Sequence, residues 1–183
     1  MSEELLIRHC APTLAGLKTG NLFNAAFESE RALRETACQL NRRFRRKGLQ
    51  VVPLRYRNGR ALLYVYRPGR LAEDLLHETA VGILTAGGYR PESPATCIAC
   101  LRRKLRENED FPHEIGLFLG YPPEDVAGFI CNKAENCKCV GFWKVYGDEA
   151  AAQKTFERFK KCTAVYTAQY AQGKSIERLI VAV

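Results

Sequence analysis

The sequence predicts an α+β fold, a small mixed sheet of about four strands covered by helices. Three observations lead there. Asn58-Gly59 sits between two apolar, β-rich runs, the dipeptide that favours a type I′ hairpin. Several segments place apolar residues at three-to-four spacing, the period of an amphipathic helix. The last third reads strand, helix, strand, an order that favours parallel pairing with a right-handed crossover.

The elements follow in order. A first helix is expected within residues 3–9, and a second, short one from Pro12 to Leu17, because proline suits a first helical turn. Residues 29–47 carry Leu33, Ala37, Leu40 and Phe44 on one face and stop at Gly48. Val51–Arg57 and Arg60–Arg67 then form the hairpin, with Arg57 opposite Arg60 and Tyr56 opposite Ala61. Its core face is read as Val52, Leu54, Tyr56, Ala61, Leu63 and Val65. The other face holds Arg55, Arg57, Arg60, Leu62, Tyr64 and Tyr66. Pro53 cannot donate to a ladder, so its strand belongs at an edge.

Residues 70–86 read as one helix ending at Gly87-Gly88, and residues 94–107 as another with Ile98, Leu101 and Leu105 inward. Asp110 and Pro112 open a short helix through Leu119, and Pro123 starts one that buries Val126, Phe129 and Ile130. Val140–Tyr146 is read as a strand. Asp148 caps a helix whose stripe is Ala152, Phe156, Phe159, Thr163, Tyr166 and Tyr170, and residues 176–183 are expected as a terminal buried strand.

The chain has 183 residues, 46% of them hydrophobic and 26% charged, which suits a single globular domain over residues 1–183. No stretch approaches the ~18 apolar residues of a membrane helix, so no membrane partner is expected. Residues 1–8 are acidic where a secretory leader would be basic, and eight cysteines without a leader are expected to stay reduced. The expected location is the cytoplasm. A net charge of +8 favours anionic partners without specifying one.

Three segments carry more chemistry than packing needs. The first, residues 9–21, groups His9, Cys10, Thr13, Lys18 and Asn21. Cys10 ahead of Pro12 would lie at the positive end of a helix, where a thiolate is stabilised. The second, residues 111–122, contains His113 and Glu114, and the third, residues 141–148, contains Lys144 and Tyr146. Cys97 and Cys100 have the gap of redox and metal sites, and with Cys131, Cys137 and Cys139 they could complete a thiolate zinc site.

The leading expectation is a pocket built from these three segments that binds a small molecule, an anionic ligand or a cofactor. Lys18 and Lys144 would supply charge, and His9, Thr13, Asn21, Glu114 and Tyr146 further contacts. Haem or a metal ion would suit the histidine and cysteine donors. A thiol enzyme is the second reading, with Cys10 as nucleophile and His113 as base. Nucleic-acid binding is the third, with the arginines of the hairpin gripping phosphate and Tyr64 and Tyr66 stacking on bases.

His-Cys-Ala-Pro-Thr-Leu-Ala-Gly-Leu-Lys at residues 9–18, Phe111–Pro122 and Phe-Trp-Lys-Val-Tyr-Gly-Asp at residues 142–148 together resemble a family of anaerobic bacteria known as a domain of unknown function. The resemblance spans nearly the whole chain and implies a stand-alone domain. It implies no activity, cofactor or catalytic residue. Its motifs coincide with the three segments singled out on chemical grounds.

Overall fold

The computed structural model describes residues 2–108 and 110–182. Its helices and sheets make the fold mixed α+β, as the sequence predicts. The chain divides into two units, residues 1–69 with 161–183, and residues 70–160.

The first unit is built on a three-stranded antiparallel sheet in the order β1-β3-β2. These strands are β1 (Gly20–Ala26), β2 (Gln50–Arg57) and β3 (Arg60–Tyr66). The hairpin forms as its turn chemistry requires, with Asn58 and Gly59 both at positive φ, 51° and 73°. Arg57 pairs with Arg60 and Tyr56 with Ala61. Pro53 lies on an edge strand, and the edge is covered locally: the Asn41 side chain accepts from Val51 N at 2.7 Å and donates to its carbonyl at 2.8 Å.

A bulge between Pro53 and Arg55 shifts the register, so Val51 rather than Val52 enters the core cluster with Ala61, Leu63 and Val65. The opposite face of β3 is closed as well, since Leu62, Tyr64 and Tyr66 are all buried. Tyr64 and Tyr66 stack at 4.7 Å between centroids, and Tyr66 donates to Gln50. The stacking platform on which the nucleic-acid reading relied is therefore inside the protein.

Helix α1 (Glu3–Leu14) is continuous through Pro12, which corrects the expectation of two short helices. Helix α2 (Glu30–Phe44), capped by Ser29, buries the expected Leu33, Ala37, Leu40 and Phe44, then tightens into a 3-10 turn at Arg45–Lys47. Arg43 on its outer side pairs with Glu3 and Glu177. The expected terminal strand is instead a short helix, which inserts Ile176, Leu179 and Ile180 into the core. Val181 N then donates to Leu14 O at 3.0 Å. Among the described residues no parallel β-α-β unit forms, and every strand pair is antiparallel.

The second unit is mainly helical. The run at 70–86 breaks at Leu76-His77 into α3 (Pro68–Leu75) and α4 (Glu78–Ala86). Then come α5 (Pro94–Glu107), α6 (Ile115–Phe118) and α7 (Pro123–Cys131). The aromatic run at 140–146 folds back on itself as a hairpin of β4 (Cys139–Val140) and β5 (Lys144–Val145), not as one strand. Helix α8 (Glu149–Ala171) begins in this unit and ends in the first. It presents Ala152, Phe156 and Phe159 to the second unit's interior, and Tyr166 and Tyr170 to the core of the first. No helix among the described residues is long and apolar enough to cross a membrane.

Candidate functional site

In the second unit, two of the three segments meet around a cavity of about 370 Å³. Phe111, Pro112, His113, Ile115, Gly116 and Tyr121 come from the loop and turn around α6. Val140, Gly141, Phe142, Trp143 and Lys144 come from the β4-β5 hairpin, and Asp125, Val126 and Phe129 from α7.

Asp125 fixes the relation between α7 and the hairpin. It is only 3% exposed, and Trp143 Nε1 donates to its Oδ2 at 2.7 Å. Tyr146 N and Gly147 N both donate to Oδ1 at 2.7 Å. Buried polar groups must be paired, and three donors satisfy this carboxylate. Sequence reading missed Asp125, because an aspartate in the first turn of a helix has an ordinary explanation in the helix dipole.

Glycines let the hairpin lie close. A Cβ on Gly128 would stand 2.5 Å from the Tyr146 ring, and one on Gly141 would stand 2.1 Å from the Phe156 ring. Trp143 packs edge-on against Phe156 at 4.5 Å and beside Tyr121 at 4.9 Å. His113 meets Phe129 edge-on at 5.3 Å. At the rim, Phe111, Val140 and Phe142 are exposed by 42%, 68% and 40%. Large apolar side chains clustered in the open around a concavity are a recurrent mark of a binding site.

The other residues singled out in these segments have structural partners. Glu114 is held by Lys104 at 2.5 Å. Burial pushes its carboxyl pKa up, but hydrogen bonds, the one from Lys104 foremost, bring it below the ordinary value. Tyr146 is seated on Gly128. Lys144 lines the cavity and donates one hydrogen to Ala134 O at 2.7 Å.

The 9–21 segment belongs to the first unit. Cys10 lies in the body of α1, not ahead of a helix, and is fully buried. Burial pushes its thiol pKa well up, which outweighs the nearby Lys18 charge. That corrects the expected dipole-activated thiolate and opposes a nucleophilic role. His9 is exposed and stacks on Phe23 at 5.6 Å, with its pKa lowered by burial and by Arg8. Thr13 donates to Asn21 at 2.7 Å. Lys18 is 4% exposed and donates to Gly20 O at 2.7 Å.

Arg67, unnoticed in sequence, is the centre of this unit's polar interior. It is 2% exposed and donates to Thr13 O, Leu14 O and Val181 O at 2.7, 2.7 and 2.8 Å, and to Lys47 O at 3.4 Å. Those carbonyls include the ends of α1 and of the 3-10 turn, where the backbone lacks intrahelical donors.

Lys18 makes a pH prediction. Burial lowers its pKa to about 7, although Cys10 pulls the other way. Unfolded, the same group titrates near ~10.4. Above about 7 the unfolded chain therefore holds a proton that the fold has released, and stability rises with pH. Above about 8.5 the unfolded chain also gives up the Cys10 proton that the fold retains, which cancels further gain. Urea unfolding at stepped pH is expected to show stability rising between about pH 7 and 8.5. Lys18→Met should abolish that rise.

Cys97 and Cys100 occupy successive turns of α5. Cys97 is buried and donates to Arg90 O at 3.0 Å, and Cys100 is half-buried near Gly88 O at 3.9 Å. Cys137 is half-buried before β4, as is Cys139 within it, and Cys131 is exposed. Among the described residues no group of three or more histidine, cysteine or acidic side chains is arranged to hold a metal ion.

Fold and cavity together define a mixed α+β protein with an aromatic pocket of small-molecule size in its second unit. The chain belongs to the family described as "Protein of unknown function (DUF3793)", whose match covers residues 6–180. No curated protein and no solved structure matches it.

Proposed function

We propose that this protein binds a small molecule in the cavity between the α6 loop and the β4-β5 hairpin. The observation that carries the reading is the meeting of residues 111–121 and 140–144, distant in sequence, around an open aromatic cavity braced by Asp125. Its volume lies near the lower end of the range for ligand pockets, which suits one or two fused rings. The reading is narrower than the sequence expectation, because the 9–21 segment serves the interior of the first unit. A thiol enzyme would need an accessible thiolate, and Cys10 offers none.

Saturation-transfer NMR with naphthol as a neutral planar probe tests the proposal. The wild-type protein should transfer magnetisation to the probe saturably. Phe142→Glu, which replaces an apolar rim side chain by a hydrated carboxylate that a neutral ligand would have to desolvate in part, should weaken binding about tenfold or more. Val140→Glu, at a more exposed position, should weaken it in the same direction without loss of folding. Equal transfer by all three proteins would overturn the proposal.

A further inference from the structure

The charges around the cavity carry the reading further, and the following step rests on it. Three titratable groups other than tyrosine line the cavity: His113, Asp125 and Lys144. Asp125 is buried and already receives three hydrogen bonds, so its charge is engaged by the hairpin. It has little to offer a cation. Lys144 is half-buried and differs in kind. Its ammonium carries three hydrogens, and among the described residues one of them goes to Ala134 O. An ammonium beside an apolar wall is less screened than one in open water, so it attracts an anion more strongly. His113 adds an exposed imidazole on the same lining. The remaining lining is mainly apolar and brings four aromatic rings, Tyr121, Phe129, Phe142 and Trp143, to one cavity. Flat rings pack on such walls in stacked or edge-on geometry.

We infer that the pocket selects a planar aromatic anion, of the aromatic carboxylate class, with its rings among the hairpin aromatics and its charged group on Lys144. The anionic end faces the ammonium, and the apolar end fills the space beside Trp143.

Calorimetric titration with three naphthalene derivatives of one ring system tests this: the carboxylate, the neutral methanol and the methylammonium. The carboxylate should bind at least about tenfold tighter than the neutral compound, the scale of a charge-assisted hydrogen bond, and the cation weakest. In Lys144→Gln the ratio between carboxylate and neutral affinities should fall to about one, and Lys144→Arg should restore a preference for the anion. Equal affinities for all three, or tightest binding of the cation, would overturn the inference and leave the pocket standing. Failure of all three to bind would overturn the pocket as well.

Discussion

Asp125→Ala is expected to destabilise the second unit by about 3 kcal/mol or more, because it strands three donors at a buried position. Asp125→Asn separates the parts of that role. Its amide oxygen can still accept from Tyr146 N and Gly147 N, but its NH₂ group then faces the Trp143 indole N–H, donor against donor. The loss should fall to about 1–2 kcal/mol and concentrate on the indole. Urea unfolding gives the magnitudes. The emission of Trp143, the chain's single tryptophan, reports where the damage lies. Both variants should also lose affinity for aromatic probes, since the hairpin wall of the cavity depends on the same carboxylate. Wild-type stability in both, with unchanged emission, would show that Asp125 does not brace the hairpin.

Arg67→Ala should cost about 4 kcal/mol. Four carbonyls, from α1, the 3-10 turn and the C-terminal tail, lose the guanidinium together, although Leu14 O keeps Val181 N and Thr13 O keeps Gly16 N. Arg67→Lys should recover only part of this, because one ammonium cannot reproduce the planar fork that reaches Thr13, Leu14 and Val181 at once. Arg67→Met retains the apolar packing and should resemble the alanine variant. That comparison isolates hydrogen bonding from volume. Denaturant unfolding of the three variants measures it, and a cost below about 1 kcal/mol for Arg67→Met would remove Arg67 from this role.

The two effects fall on residues that sequence reading did not single out. What was legible was whatever local chemistry decides. Asn58-Gly59 set the hairpin and its register, and the spacing of Leu33, Ala37, Leu40 and Phe44 set the buried face of α2. Strand β1 was missed because Gly-Asn-Leu-Phe-Asn-Ala-Ala is poor in β-branched residues; pairing with the open edge of β3 makes it a strand. Residues 176–183 misled in the opposite direction. Their apolar run has the composition of a strand, but a helical turn seats Ile176, Leu179 and Ile180 in the core and turns Val181 toward Arg67. The aromatic run at 140–146 was read as one strand, yet Gly141 allows the chain to approach Phe156, and it folds back as a hairpin with Phe142 partly in the open.

The candidate site shows the same division. His113 and Lys144 could be picked out by residue type, and both line the cavity. Asp125 could not, because its role comes from donors about twenty residues further on. Cys10 and Lys18 also stood out by type, but burial governs both. A solvent-accessible cysteine beside a lysine would be reactive, whereas this one is a protonated core residue. Proline at position 12 was the misleading signal, because it lies inside α1 rather than opening a helix.

The most direct test uses the single tryptophan as a built-in reporter. Fluorotryptophan incorporation gives one fluorine resonance, from the ring that Asp125 holds against the cavity. Titration with naphthalene carboxylate should move that resonance saturably, and Phe142→Glu should suppress the shift. A resonance that stays still while the carboxylate binds elsewhere, or while nothing binds at all, would contradict a ligand site between the α6 loop and the β4-β5 hairpin.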